Sequence, residues 1–133
     1  MGSLLDTNAI IFALKDARGR SALRIGQSPH SDVKICSVVE AELYHGATKY
    51  DHPTRRAAVL DAFLRPFSSL PFDSRCVPQY ARIRDHLERQ GRIIGANDLM
   101  IAAIALTHDL TLVTNNGGEF YRVPGLRVEN WSV

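Results

Sequence analysis

Asp6, Glu42, Asp98 and Glu119 are the residues of this chain best suited to do chemistry. They are far apart in sequence, yet each stands where a strand gives way to a helix or where a helix begins. Such spacing gathers carboxylates at one edge of a parallel sheet. Clustered carboxylates repel one another unless hard cations neutralise them, so the pattern points to a metal site. Oxygen-only ligands select Mg²⁺ or Mn²⁺ over zinc. His30, His45, His52, His86 and His108 show no paired zinc spacing and read as surface or core residues.

An alternation of strands and helices must position these acids. Ser3 to Asp6 is a short apolar strand, followed by a helix with Ile10, Ile11, Phe12 and Leu14 on its buried face. A short helix is expected over Arg20 to Ile25, then a loop at Pro29 to Asp32. Val33 to Cys36 is a second strand. Ser37 and Glu40 match a capping box, so a helix is expected from Ser37 to about Thr48. His52-Pro53-Thr54 breaks the chain before a helix carrying Leu60, Phe63, Leu64 and Phe67. Ser69 to Phe72 reads as a third strand, with Pro71 placing it at a sheet edge. Asp73 or Ser74 caps a helix striped by Cys76, Tyr80, Ile83 and Leu87. Leu99 to Leu106 is apolar all round, as a central buried helix must be. Thr111 to Thr114 is a fourth strand, and Leu126 to Glu129 a possible fifth.

This order implies an α/β fold: a three-layer α/β/α sandwich with a mostly parallel central sheet, as one domain over residues 1–133. Ligands of such sheets bind beyond the carboxyl ends of the strands. All four acids map to that edge. Asp6 ends the first strand, and Glu42 lies in the second turn of the helix after the second. Asp98 opens the helix leading into the fourth, with Asn97 as its expected cap. Glu119 follows the fourth strand through Asn115-Asn116-Gly117-Gly118. Glu40 competes with Glu42 but points to another side of the helix and reads as the partner of Ser37. Asp109 reads as a turn residue. A charge ending an apolar strand, as Asp6 does, needs a partner.

Composition narrows the class. With 133 residues, 45% of them apolar and 23% charged, the chain reads as soluble and globular. No apolar run approaches the roughly 20 residues of a membrane span, and the start lacks a signal core, so a cytoplasmic protein is expected. Cys36 and Cys76 are isolated among apolar residues and read as small core hydrophobes. A net charge of +2 permits a nucleic-acid partner without arguing for one.

Four segments carry a family resemblance. Leu4-Leu5-Asp6-Thr7-Asn8 resembles the opening motif of PIN domains. The stretch Ser37 to Gly46 resembles their second motif, with Glu42 in the acidic position. Gly95 to Ala103 resembles the third, and Thr114 to Phe120 the fourth. The ending from Val123 to Trp131 is similar to that of VapC-type toxins. Glu119 stands where many relatives place Asp.

The resemblance implies a metal-dependent endoribonuclease, the toxin half of a VapBC toxin–antitoxin pair. It implies Mg²⁺ or Mn²⁺ as cofactor, RNA as substrate, and products ending in a 5′-phosphate and a 3′-hydroxyl. Asp6 and Asp98 are the best direct ligands. Glu42 and Glu119 complete the cluster and orient water. Thr7, Asn8, Thr114 and Asn116 are supporting residues that can hydrogen-bond the carboxylates or a substrate phosphate; Asn8 equally suits a helix cap. A VapB-type antitoxin and a second copy of the chain are the implied protein partners, with no membrane. An acidic cleft repels RNA, so Lys15, Arg18, Arg20, Lys49, Arg55, Arg56, Arg89 and Arg92 are candidates for a basic rim. No RNA-reading motif and no aromatic platform stands out. The alternative reading is a catalytically inactive PIN-like module that binds RNA or antitoxin. A receiver domain would need an acidic pair at the first strand and a late Lys. A haloacid-dehalogenase phosphatase would need Asp at position 8, which is Asn.

Overall fold

The structure, a computed structural model, describes residues 2–133. Five parallel strands form one sheet in the order β3-β2-β1-β4-β5. They are β1 (Ser3–Leu5), β2 (Val33–Cys36), β3 (Ser68–Leu70), β4 (Thr111–Val113) and β5 (Val128–Glu129). Between them run α1 (Thr7–Lys15), α2 (Arg20–Gln27), α3 (Ser37–Ala47), α4 (Pro53–Leu64), α5 (Val77–Arg89) and α6 (Ala96–Thr107). Right-handed crossovers put α1 to α4 on one face and α5 and α6 on the other, because the chain advances from β1 to β3 and then returns to β4. The three-layer α/β/α expectation holds.

The central strands are buried on both faces, and their residues are accordingly apolar without alternation. Leu4, Leu5 and Leu112 have no exposed surface. Leu4 pairs in register with Leu112, and Leu5 with Val113. Along α6, Leu99 and every residue from Ile101 to Ala105 are buried, so this helix packs into the core all round. Cys36 and Cys76 are buried and free, and burial pushes the Cys36 thiol up to about 11. Both are packing residues.

Local sequence signals erred at element ends. The first strand stops at Leu5, and Asp6 instead caps α1, its side chain accepting from the Ala9 N–H at 2.8 Å. The segment expected as a loop contains a 3-10 turn at His30–Asp32. The Ser37–Glu40 capping box does not form. Cys36 occupies the cap position, so Ser37 is already inside the helix. Its hydroxyl accepts from the Phe72 N–H at 3.4 Å, and Glu40 accepts from the Ser69 hydroxyl. Both residues therefore serve contacts to the β3 segment, which no local pattern reveals. Pro53 does not separate two helices from a distance; it is the first residue of α4, where its missing N–H costs nothing. The third strand is Ser68–Leu70 at the sheet edge, as expected, with Pro71 just beyond it.

Ile104 lies at the centre of this packing with no exposed surface. Replacing it with Ala should lower unfolding free energy by about 2–5 kcal/mol. A urea titration checks this, and a change below about 0.5 kcal/mol would contradict the central place of α6.

Candidate metal centre

β1 and β4 are neighbours, but the chain leaves them in opposite directions across the sheet. Their carboxyl ends thus form a switch point, where open α/β sheets leave a crevice. The Asp6 N–H continues the ladder by donating to the Val113 carbonyl at 3.0 Å. This places Asp6 beside Thr114 at the crevice floor. A pocket of about 140 Å³ opens there, lined by Asp6, Thr7, Asn8, Glu42, Asp98, Ile101, Asn116, Glu119 and Phe120. All four sequence-predicted acids line it. Three of the four supporting residues line it too, and Thr114 contacts Asp6 from below.

Each carboxylate is held by a different device. Asp6 is only 3% exposed and takes hydrogen bonds from the Ala9 N–H and the Thr114 hydroxyl. Thr114 also accepts from the Asn116 N–H at 3.1 Å, which fixes the loop after β4. Glu42 accepts from the Thr7 hydroxyl at 2.7 Å and the Asn97 side-chain amide at 3.4 Å. Glu119 accepts from the Gly95 N–H at 3.3 Å. Asp98, in the first turn of α6, shares a hydrogen bond with Glu119.

Two roles differ from the sequence expectation. Asn97 does not cap α6; Gly95 holds that position without a side-chain bond, and Asn97 reaches across to Glu42 instead. Asn8 lies within α1 and lines the pocket, while Asp6 is the cap of that helix. Sequence reasoning missed the pocket roles of Ile101, Phe120 and the Gly95 N–H. The spacing from Asp98 to Ile101 is one helical turn, a signal that could have placed Ile101 on the same face.

The electrostatics are those of a negative pocket without a counter-charge. Among the described residues, none of the four acids takes part in an ion pair. Burial pushes Asp6 up to about 6, against the pull of Thr114 and Ala9, with Glu42 adding repulsion. Burial, the hydrogen bond with Glu119 and the charges of Glu119, Glu42 and Asp6 push Asp98 up to about 7. A carboxyl raised this far holds its proton more tightly than a free one, and a cation would have to compete with that proton for the oxygen. The donor set is oxygen throughout, which suits Mg²⁺ or Mn²⁺.

The acids do not form a ready cage. Among the described residues, no three carboxylate, imidazole or thiol groups stand close enough together to hold one ion as they are. The four acids share one pocket, as the sequence leads one to expect, with their side chains spread around its lining. The reason is visible in the hydrogen bonds: Glu42 is drawn toward Thr7 and Asn97, and Glu119 toward Gly95. Like charges part where protein donors offer each an alternative.

The eight candidate rim cations are all exposed. Arg89 pairs with Asp85, and Arg56 stacks on Tyr50 at 4.5 Å. Lys15 and Arg56 line a second, largely apolar groove of about 460 Å³ between α1, α3 and α4, which touches Glu42.

With this geometry in place, comparison with known proteins is decisive. The PIN domain family model matches residues 3–126. The chain belongs to the PIN-domain family and, within it, to the VapC ribonucleases. This PIN domain is 38% identical to Ribonuclease VapC2 of Haemophilus influenzae over 128 residues, 96% of each chain. It is 41% identical to the tRNA(fMet)-specific endonuclease VapC of Shigella flexneri over 133 residues, 97% of each chain. The fold of DNA-bound VapBC from Salmonella typhimurium matches with a TM-score of 0.91 at 36% identity, covering 98% of both chains. That of VapBC2 from Rickettsia felis, bound to a promoter DNA fragment, matches at 0.89 and 36%, covering 98% of this chain and 99% of the other. No helix among the described residues is long and apolar enough to cross a membrane.

The raised carboxyls fix a pH dependence. Asp6 and Asp98 hold protons in the folded state that they lose near 3.8 when unfolded. Their contribution is therefore full below about pH 4 and is lost as pH rises through 6 to 7. Chelator-treated protein should lose on the order of 1–3 kcal/mol between pH 5 and pH 8. Mg²⁺ should raise the melting temperature more at pH 8 than at pH 5, because it competes with those protons. Melting curves at both pH values test this; an equal Mg²⁺ effect at both would contradict it.

Proposed function

We propose that this chain is a Mg²⁺- or Mn²⁺-dependent endoribonuclease, the toxin of a VapBC-type toxin–antitoxin pair, acting as one domain over residues 1–133. The convergence of four carboxylates without ion pairs on one pocket carries the reading. Its membership among the VapC ribonucleases gives the chemistry its substrate class. One relative is named for tRNA(fMet), which makes initiator tRNA the first substrate to test. The solved relatives are complexes of VapB with VapC, so a VapB-type antitoxin is the expected partner. A homodimer is the expected assembly of the toxin.

Asp6 and Asp98 would hold the cation directly, with Glu42 and Glu119 closing around it. When bound, Mg²⁺ or Mn²⁺ supplies Lewis acidity toward a phosphate oxygen and makes a nearby water acidic enough to attack in line. The protein's own residues do the rest. Asp6 is locked by Ala9 and Thr114, so it serves as a fixed anchor. Glu42, held by Thr7 at 2.7 Å and Asn97 at 3.4 Å, and Glu119, held by Gly95 at 3.3 Å, have longer arms that would reach the cation from further out. Asp98 shares a hydrogen bond with Glu119 and would lose its proton to solvent when a cation binds. Thr7 and Asn8 lie at the start of α1 and line the pocket, where their side chains would hydrogen-bond a phosphate oxygen.

Asp6→Asn and Asp98→Asn keep shape and remove charge. Each should lower cleavage of initiator tRNA in Mn²⁺ by at least about 100-fold, a barrier increase near 3 kcal/mol. Gel analysis of end-labelled tRNA measures it. Cleavage unchanged in both variants would place the activity elsewhere; no cleavage by the wild type would favour the inactive binding module.

A further inference from the structure

An acidic pocket does not attract RNA, so a substrate needs a handhold that does not depend on charge. Among the described residues, the exposed Phe and Tyr side chains are Phe12, Tyr50 and Tyr121. Tyr50 is capped by Arg56 and lines the groove between α1, α3 and α4. Phe12 lies on α1; neither it nor Tyr121 lines the carboxylate pocket itself, and no immediate chain neighbour of Phe12 lines it either. Tyr121 differs: it is 68% exposed and directly follows Glu119 and Phe120, both of which line that pocket.

The ring of Tyr121 is held in place. Phe120, Tyr121 and Arg122 form one 3-10 turn, fixed by Tyr121 N–H to the Gly117 carbonyl at 2.9 Å and Arg122 N–H to the Glu119 carbonyl at 3.1 Å. Phe120 is 3% exposed and anchors the turn in the core. The Arg122 guanidinium ties it to the loop before α6 by donating to the Ile93 carbonyl at 3.3 Å. Gly117 underlies the ring so closely that a Cβ there would sit 2.5 Å from Tyr121 Cε2 and 3.0 Å from Cζ. The residue next to Gly117 is Asn116, which lines the pocket. The ring thus rests against the loop that forms the pocket wall, with most of its surface open to water.

We propose that Tyr121 is a nucleobase platform, stacking an unpaired base of the RNA at the rim of the carboxylate pocket. The assignment rests on the RNA-cleaving reading of the site and adds a positioning residue to it. Stacking on an aromatic ring is indifferent to base identity and to the pocket's charge. It orients the strand so that a phosphate next to the stacked base reaches the carboxylates. Tyr121 acts on binding and not on bond breaking, so its loss should appear in KM.

The test uses two readouts. Binding is measured with single-stranded oligoribonucleotides carrying 2-aminopurine at successive positions, in the Asp98→Asn background, where this site does not cut. Stacking quenches 2-aminopurine, so one position should dim with Tyr121 or Tyr121→Phe and stay bright with Tyr121→Ala or Tyr121→Leu. Cleavage of initiator tRNA in Mn²⁺ should show KM raised about tenfold by Tyr121→Ala with kcat changed less than about threefold, and near-normal KM in Tyr121→Phe. Quench and KM both unchanged in Tyr121→Ala would overturn the platform while leaving the nuclease intact. A Tyr121-dependent quench in a chain whose wild type does not cut would overturn the nuclease and keep the platform. Absence of both quench and cleavage in the wild type would remove both.

Discussion

Like charges in a partly buried space repel, and this structure depends on bringing four carboxyl groups to the lining of one pocket. Removing a carboxylate from water is costly unless it is paired or protonated. Here neither an Arg nor a Lys is used. Asp6 and Asp98 instead retain protons up to about 6 and about 7. Burial is the main cause at both, with Glu119 adding to it at Asp98, and a divalent cation would compete with those protons.

The sheet supplies the rigid half of the arrangement. Asp6 is joined to β4 by its own backbone and to α1 as its cap, so its position is fixed by elements with buried cores. The helices supply the adjustable half. Glu42 and Asp98 come from α3 and α6, which meet at this edge and are bridged by the Asn97 amide. Glu119 comes from the loop after β4 and leans on the loop before α6. The acids also differ in reach: short Asp at the start of α1 and of α6, longer Glu from the second turn of α3 and the loop after β4.

The sheet edge was legible in the sequence because hydrophobic runs and their order dictate a parallel sheet, and a parallel sheet dictates where ligands bind. All four acids followed from that. What was not legible came from long-range contacts. Ser37 and Glu40 carry a local cap signature, yet the segment around β3 claims both side chains. Asn97 has the right type for a cap, but Glu42 lies within its reach once α3 and α6 pack. The exposed ring of Tyr121 has no periodic signature, because its setting depends on Gly117 and a single 3-10 turn. The donors that hold Glu42 and Glu119 could not be read either, since they come from segments far away in the chain.

Direct measurement of ion binding tests this account most sharply. Mn²⁺ titrated calorimetrically into chelator-treated protein at pH 6.5, in buffers of different ionisation enthalpy, reports both affinity and proton release. Saturable Mn²⁺ binding with displacement of protons, both weakened in Asp6→Asn and Asp98→Asn, is the predicted result. Failure of the wild-type chain to bind Mn²⁺ or Mg²⁺ at millimolar concentration, or binding that ignores both substitutions, would contradict a carboxylate pocket built for a divalent ion.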